Sequence, residues 1–105
     1  CAADCGTIIN PGIVAQQMEG AVILALSAAL YGKVDVLDGV VQQTNFPSAP
    51  AIVMQEAPHV ETWLIASERS PGGVGEPGVP PLAPALANAL FALTGRRYRS
   101  LPLGV

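Results

Sequence analysis

Charged side chains are scarce in this sequence. Only 12% of its 105 residues are charged and half are apolar, whereas an average soluble domain has about 25% charged residues. A single domain of this length buries one modest core and keeps a polar surface around it. We therefore expect other chains, or other parts of a larger protein, to cover much of this surface. The opening CAADCGTIINP, without an initiator methionine, favours the larger protein.

Basic residues, histidine and cysteine are also few, and each shortage excludes a function. The five Lys and Arg are outnumbered by eight Asp and Glu, and nucleic-acid binding needs a clustered basic surface. Cys1, Cys5 and the single His59 cannot complete a four-ligand zinc site. One histidine without a G-x-S-x-G sequence excludes a Ser-His-Asp hydrolase. We expect no nucleic-acid partner and no metal-ligating side chain.

Long hydrophobic runs are absent as well. The longest, Ala21 to Tyr31, has 11 residues, and a membrane span needs roughly 20. This run belongs to a predicted helix. Asn10 can cap its start, Pro11 suits the first helical position, and Gly32 ends it. From Ala21 onward the helix is apolar nearly all round, so we expect burial on most sides.

Four further elements are predicted from local patterns. Asp38-Gly39 between alternating residues indicates a hairpin. Alternation in HVETWLIAS predicts a strand, as does the opening CAADCGTII, and LAPALANALFALTG predicts a second helix closed by Gly95. The order is β, α, β, β, β, loop, α. This is an α+β fold, a small mixed sheet packed by two apolar helices that hold most of the core.

The loop SPGGVGEPGVPP, Ser70 to Pro81, has four glycines, four prolines and one carboxylate, Glu76. It fits an exposed turn. It also fits a stiff cradle in which glycine permits positive φ and close approach to a ligand. A partly desolvated Glu76 there would have a raised pKa and could act as a general base. Gln16 and Gln17 likewise fit either a solvated helix face or amides that contact a polar cofactor.

Four segments, taken in order, resemble a known family: DCGTIINPGIVAQQMEGAVILALSAALYG, GVVQQTNFPS, SPGGVGEPGVPPLAPALANALFALTG and RRYRSLPL. They look like the C-terminal end of the molybdenum-binding large subunit of the xanthine dehydrogenase and aldehyde oxidoreductase family. The likeness is greatest to its branch of isoquinoline oxidoreductase beta subunits and membrane-associated aldehyde dehydrogenases. It implies that residues 1–105 are the C-terminal portion of a molybdopterin-binding domain.

The resemblance also implies roles for three residues. Glu76, in G-V-G-E-P, would be the catalytic base that deprotonates the Mo–OH ligand, after which hydride from the substrate passes to Mo=S. The backbone N–H of Gly75 would lie at the oxygen ligand. Gln17 would hydrogen-bond the pterin, and Gln16, offset by one, fits less well. The implied cofactor is molybdopterin as its cytosine dinucleotide, and the implied substrate is an aldehyde or an N-heterocycle.

The implied partners are the remainder of the molybdenum subunit and an iron–sulfur subunit whose clusters receive the electrons. The chain alone should therefore be inactive. The branch further implies a periplasmic or membrane-associated bacterial enzyme. Ala49 departs from the branch, which usually has an aromatic residue after NFPS. The alternative from another class is a non-catalytic interaction or structural domain without a cofactor, which low charge and high apolarity also fit.

Overall fold

The computed structural model describes residues 1–104 and has the predicted order of elements. The helices and strands are β1 (Ala2–Ala3), α1 (Pro11–Tyr31), β2 (Val36–Leu37), β3 (Val40–Val41), β4 (Trp63–Leu64) and α2 (Leu82–Thr94), with one 3₁₀ turn at Phe46–Ser48. β1 pairs with β4 in parallel, Ala2 opposite Trp63, and β2 pairs with β3 antiparallel. The α+β prediction is confirmed. The strands are shorter than predicted and lie in two separate pairs.

Helix α1 begins and ends where its capping residues predict. The side chain of Asn10 accepts the backbone N–H of Ile13 at 3.0 Å, and Pro11 takes the first helical position, where its missing N–H costs nothing. At the other end the N–H of Gly32 donates to the carbonyl oxygen of Ala28 at 2.9 Å. A Cβ on Gly32 would lie 2.6 Å from that oxygen. Only glycine therefore fits this helix end.

The predicted hairpin is also confirmed. Asp38 has φ 50° and Gly39 has φ 78°. Positive φ at both central residues makes a type I′ turn, the mirror image of a type I turn, and its twist matches that of the paired strands. Val36 consequently lies opposite Val41, and Leu37 lies opposite Val40.

The core is small and lies almost entirely on α1. Six apolar side chains are buried: Val14, Met18, Ala21, Ala25, Ala29 and Leu103. The C-terminal segment packs on the helix, and the N–H of Leu103 donates to the carbonyl oxygen of Ala29 at 2.7 Å.

Two expectations about burial are wrong for this chain. Helix α1 buries one face only and leaves Leu24 64% exposed, and α2 has no buried residue. The physical reason is that nothing in residues 1–104 forms a second layer over these outer faces. By length and composition α1 is also apolar enough to cross a membrane, although core helices of soluble proteins share that property.

Candidate functional site

The loop 70–81 is held at its start by the segment that follows β1. The N–H of Thr7 donates to the carbonyl oxygen of Arg69 at 2.8 Å, and the N–H of Gly72 donates to the carbonyl oxygen of Cys5 at 2.7 Å. Between them Gly6 is buried with φ 76°. A Cβ on Gly6 would lie 2.2 Å from the carbonyl oxygen of Ser70. The two backbones therefore run as close together as glycine allows.

An ion pair supports the same junction. Arg69 contacts the carboxylate of Asp4, whose Oδ1 also accepts the N–H of Gly6 at 3.1 Å. The pKa of Asp4 is lowered, chiefly by the Gly6 hydrogen bond and further by Arg69. The charged form of Asp4 is thus the one that holds this turn.

Glu76 opens a tight turn at the centre of the loop. Its carbonyl oxygen accepts the N–H of Val79 at 2.9 Å, so Pro77 and Gly78 are the two central residues. Proline suits the first of these because its ring fixes φ near −65°. The N–H of Leu82, the first residue of α2, then donates to the carbonyl oxygen of Val79 at 3.3 Å. Glu76 therefore stands on a short turn that leads directly into a helix.

Gly78 is where this turn contacts helix α1. A Cβ on Gly78 would lie 2.7 Å from the Cβ of Ala21 and 3.6 Å from both the carbonyl oxygen and Sδ of Met18. None of the loop glycines 72, 73, 75 and 78 has the expected positive φ. Close approach is the reason for glycine here, and it is an approach to a helix of this chain. The sequence did not indicate this contact, since residues 57 positions apart make it.

This contact brings the segments of the predicted site residues together. Gln17 directly precedes Met18, and Glu76 stands two residues before Gly78. Both side chains are exposed and they do not hydrogen-bond to each other. Within residues 1–104, no side chain or backbone group hydrogen-bonds to the Gln17 amide or the Glu76 carboxylate. A Cβ on Gly75 would meet nothing within 4 Å, so the backbone there is open on that side.

A cavity lies beside this turn. It has a volume of about 410 Å³ between β1, α1, the loop and α2, and Met18, Val74, Pro77 and Leu82 are among its lining residues. Gln17, Gly75 and Glu76 do not line it. Among residues 1–104, His, Cys, Asp and Glu form no group of three or more that could hold a metal ion. The predicted site is consequently an open surface of this chain rather than an enclosed pocket.

Three kinds of polar group are available on that surface. A carboxylate accepts hydrogen bonds, an amide side chain both donates and accepts, and a backbone N–H donates. Such groups do not form a metal cage, but they suit the polar edges of an organic cofactor. The residues present therefore fit a cofactor that brings its own metal.

Comparison with known proteins agrees with this reading. Residues 1–58 match the molybdopterin cofactor-binding domain family. The chain is 40% identical to isoquinoline 1-oxidoreductase subunit beta of Brevundimonas diminuta over 103 residues, which are 98% of this chain. It is 30% identical over 100 residues, 95% of its length, to membrane-bound aldehyde dehydrogenase (pyrroloquinoline-quinone) of Gluconacetobacter polyoxogenes. The chain spans 13% of the length of each relative.

A solved structure has the same fold. Reconstituted CO dehydrogenase from Oligotropha carboxidovorans superposes with a TM-score of 0.79 at 26% identity, over 94% of this chain and 14% of that one. The family match covers more than half of the chain, and the alignments to the two relatives cover nearly all of it. The chain therefore belongs to the molybdopterin cofactor-binding domain family of the molybdenum hydroxylases.

Proposed function

We propose that residues 1–105 are the C-terminal portion of the molybdopterin-binding domain of a molybdenum hydroxylase and supply its catalytic base, Glu76. Gly75 and Gln17 are the cofactor contacts in this proposal. The observation that carries it is the packing of Gly78 against α1 at Met18 and Ala21. That packing places the turn that bears Glu76 beside the segment that bears Gln17, with both side chains free to meet a ligand.

The cofactor supplies, when bound, the two-electron redox chemistry that a protein side chain cannot perform. The protein residues orient it and move a proton. Glu76 Oε accepts the proton that is released when the oxygen destined for the substrate is activated. A carboxylate suits this task because it is an acceptor, and none of residues 1–104 hydrogen-bonds to it.

Gly75 and Gln17 have binding roles in this proposal. The N–H of Gly75 is a backbone donor one residue before the base, and a Cβ on Gly75 would meet nothing within 4 Å. The amide of Gln17 offers a donor and an acceptor to the edge of the pterin. Pro77 holds Glu76 from its C-terminal side, because the fixed φ of the ring limits the conformations of the turn.

The substrate class in this proposal is an aldehyde or an N-heterocycle. It rests on the names of the two relatives, an isoquinoline oxidoreductase subunit and an aldehyde dehydrogenase. The cofactor in this proposal is molybdopterin cytosine dinucleotide, and iron–sulfur clusters on a partner subunit take the electrons.

The exposed apolar side chains support the proposal that this chain has partners. Four of the largest are more than four-fifths exposed: Ile9 (81%), Phe46 (90%), Met54 (86%) and Leu93 (82%). Contact with a partner would remove these side chains from water, which is favourable. The remainder of the molybdenum subunit is the partner that covers it in our proposal, because the chain spans 13% of its relatives' length.

Glu76→Gln in the complete enzyme tests the function. Glutamine keeps the shape and cannot accept the proton, so we expect unchanged molybdenum and pterin content and a kcat lower by about 10²- to 10⁴-fold. Glu68→Gln is the matched control, since Glu68 is another exposed carboxylate close to the same loop, and it should leave kcat unchanged. Near-normal turnover by fully loaded Glu76→Gln enzyme would contradict the proposal.

A further inference from the structure

We propose that Gly78 is a positioning residue whose packing on Ala21 fixes the distance between the Glu76 carboxylate and the cofactor held at Gln17. This inference rests on the function proposed above. The combined size of the Gly78 and Ala21 side chains sets the geometry of the site in this proposal.

The contact has no room for even one added carbon. A Cβ on Gly78 would stand 2.7 Å from the Cβ of Ala21, whereas ordinary contact between such atoms begins at 3.4 Å. The turn and the helix would have to separate by about 0.7 Å to admit a methyl group. A flexible side-chain end could move aside, but here both atoms are bonded directly to backbone.

The turn is the part that moves, because the helix is held more firmly. Ala21 lies at the middle of the 21-residue helix α1 and is only 5% exposed. The turn is shorter and is closed by one hydrogen bond, from the N–H of Val79 to the carbonyl oxygen of Glu76. A shift at Gly78 therefore passes through Pro77 to Glu76. The proline stiffens this connection, since its φ cannot absorb the movement.

The expected consequence is a loss of catalytic geometry without loss of the cofactor. Catalytic groups must be held to within a fraction of an ångström, and a displacement near 1 Å can cost about 100-fold in rate. Gln17 precedes Met18 on the unmoved helix, so its contact to the cofactor stays. Gly78→Ala should therefore lower kcat by about 10- to 100-fold, with little change in KM or in molybdenum content.

The test is a size exchange across the contact in the complete enzyme. Gly78→Ala adds the methyl group, and Gly78→Ala combined with Ala21→Gly removes the atom that opposes it. We expect the double variant to regain most of the lost kcat. Gly73→Ala is the control in the same loop, because a Cβ on Gly73 meets nothing within 4 Å, and it should have the wild-type kcat.

A second readout does not depend on activity. Hydrogen exchange at the Val79 amide reports the Glu76–Val79 hydrogen bond directly. We expect this amide to exchange at least tenfold faster in Gly78→Ala and at the wild-type rate in the double variant. If Gly78→Ala does not accumulate, the double variant must still accumulate, exchange normally and turn over. Failure of the double variant on any of these counts overturns the inference.

The inference and the proposed function fail in different ways. Wild-type kcat and wild-type exchange at Val79 in Gly78→Ala overturn the positioning role, even where Glu76→Gln abolishes turnover. Full turnover by Glu76→Gln overturns the proposed function, whatever the exchange data show. A kcat deficit in Gly78→Ala that Ala21→Gly does not relieve also refutes the packing explanation.

Discussion

Replacing Gly6 with alanine tests how the loop that carries Glu76 is held. Gly6 and Gly39 have almost the same φ, 76° and 78°. They differ in their surroundings, because a Cβ on Gly6 would lie 2.2 Å from the carbonyl oxygen of Ser70 whereas one on Gly39 would meet nothing within 4 Å. Comparing Gly6→Ala with Gly39→Ala therefore separates the free-energy cost of the positive φ from the cost of the close contact.

The expected free-energy cost of Gly6→Ala is the sum of these two contributions. A side chain in the left-handed conformation costs about 1 to 2 kcal/mol, and both variants pay it. At Gly6 the backbones must also separate by more than 1 Å, which breaks the hydrogen bonds Thr7 N–H to Arg69 and Gly72 N–H to Cys5. Each net hydrogen bond is worth about 1 kcal/mol. We therefore expect Gly6→Ala to destabilise this junction by about 3 to 4 kcal/mol.

Hydrogen exchange measures this difference at the site. Each ~1.4 kcal/mol is a factor of ten, so the Thr7 and Gly72 amides should exchange about 100- to 1000-fold faster in Gly6→Ala. Gly39→Ala should accelerate exchange about 5- to 30-fold in its own hairpin and leave those two amides unchanged. Equal effects of the two substitutions, each measured at its own site, would show that the close contact at Gly6 adds no cost.

Two further predictions concern α1. Asn10→Ala should destabilise the first turn of the helix by about 1 kcal/mol, and Asn10→Ser by much less, since serine also caps; denaturant unfolding that ranks the two equally would contradict the capping role. The pKa of Glu56 is lowered by the backbone N–H of Val53 and then by the Tyr31 hydroxyl, which donates to it at 2.9 Å. Because the folded-state pKa of Glu56 lies below its ordinary value, the Glu56 carboxylate stabilises the fold at higher pH, and this stabilisation is lost as the pH falls through the folded-state pKa. Tyr31→Phe should raise this pKa without restoring it fully, and the loss of stability on acidification should shrink; an unchanged carboxyl titration by ¹³C NMR would show that the hydroxyl plays no part.

Local sequence signals predicted the elements that depend on them. Asn10, Pro11 and Gly32 define α1 because capping involves groups within four residues of each end. Asp38-Gly39 defines the hairpin because the turn needs positive φ at two successive residues. These interactions are complete within a few residues of the chain, so the sequence contains all of their information.

Contacts between distant segments could not be predicted in the same way. The pairing of β1 with β4 joins residues about 60 positions apart and extends over two residues each, shorter than the alternating patterns suggest. The glycines of the loop were predicted to permit positive φ and close approach to a ligand, but Gly78 packs closely against Ala21 of this chain. The all-round apolarity of α1 predicted burial that residues 1–104 supply on one face only. Each of these depends on what lies opposite, which a pattern along the chain does not specify.

The candidate site was predicted through resemblance more than through pattern. Composition alone left Glu76 open between an exposed turn and a held base, and the side chain is exposed on this chain. The family match establishes the molybdopterin-binding class. The roles of Gln17, Gly75 and Glu76 stay predictions, supported by the contact that brings their segments together.

In the proposed function, the Glu76 carboxylate takes the proton in the step that oxidises the substrate. A single-turnover experiment isolates this step, because it separates it from product release and from electron transfer to the partner. Loaded Glu76→Gln enzyme is mixed with an aldehyde or N-heterocycle that the wild-type enzyme oxidises, and reduction of its cofactor is followed spectroscopically. We expect the reduction rate to fall at least 100-fold, in parallel with kcat. Reduction at the wild-type rate would contradict the claim and place Glu76 outside the chemical step.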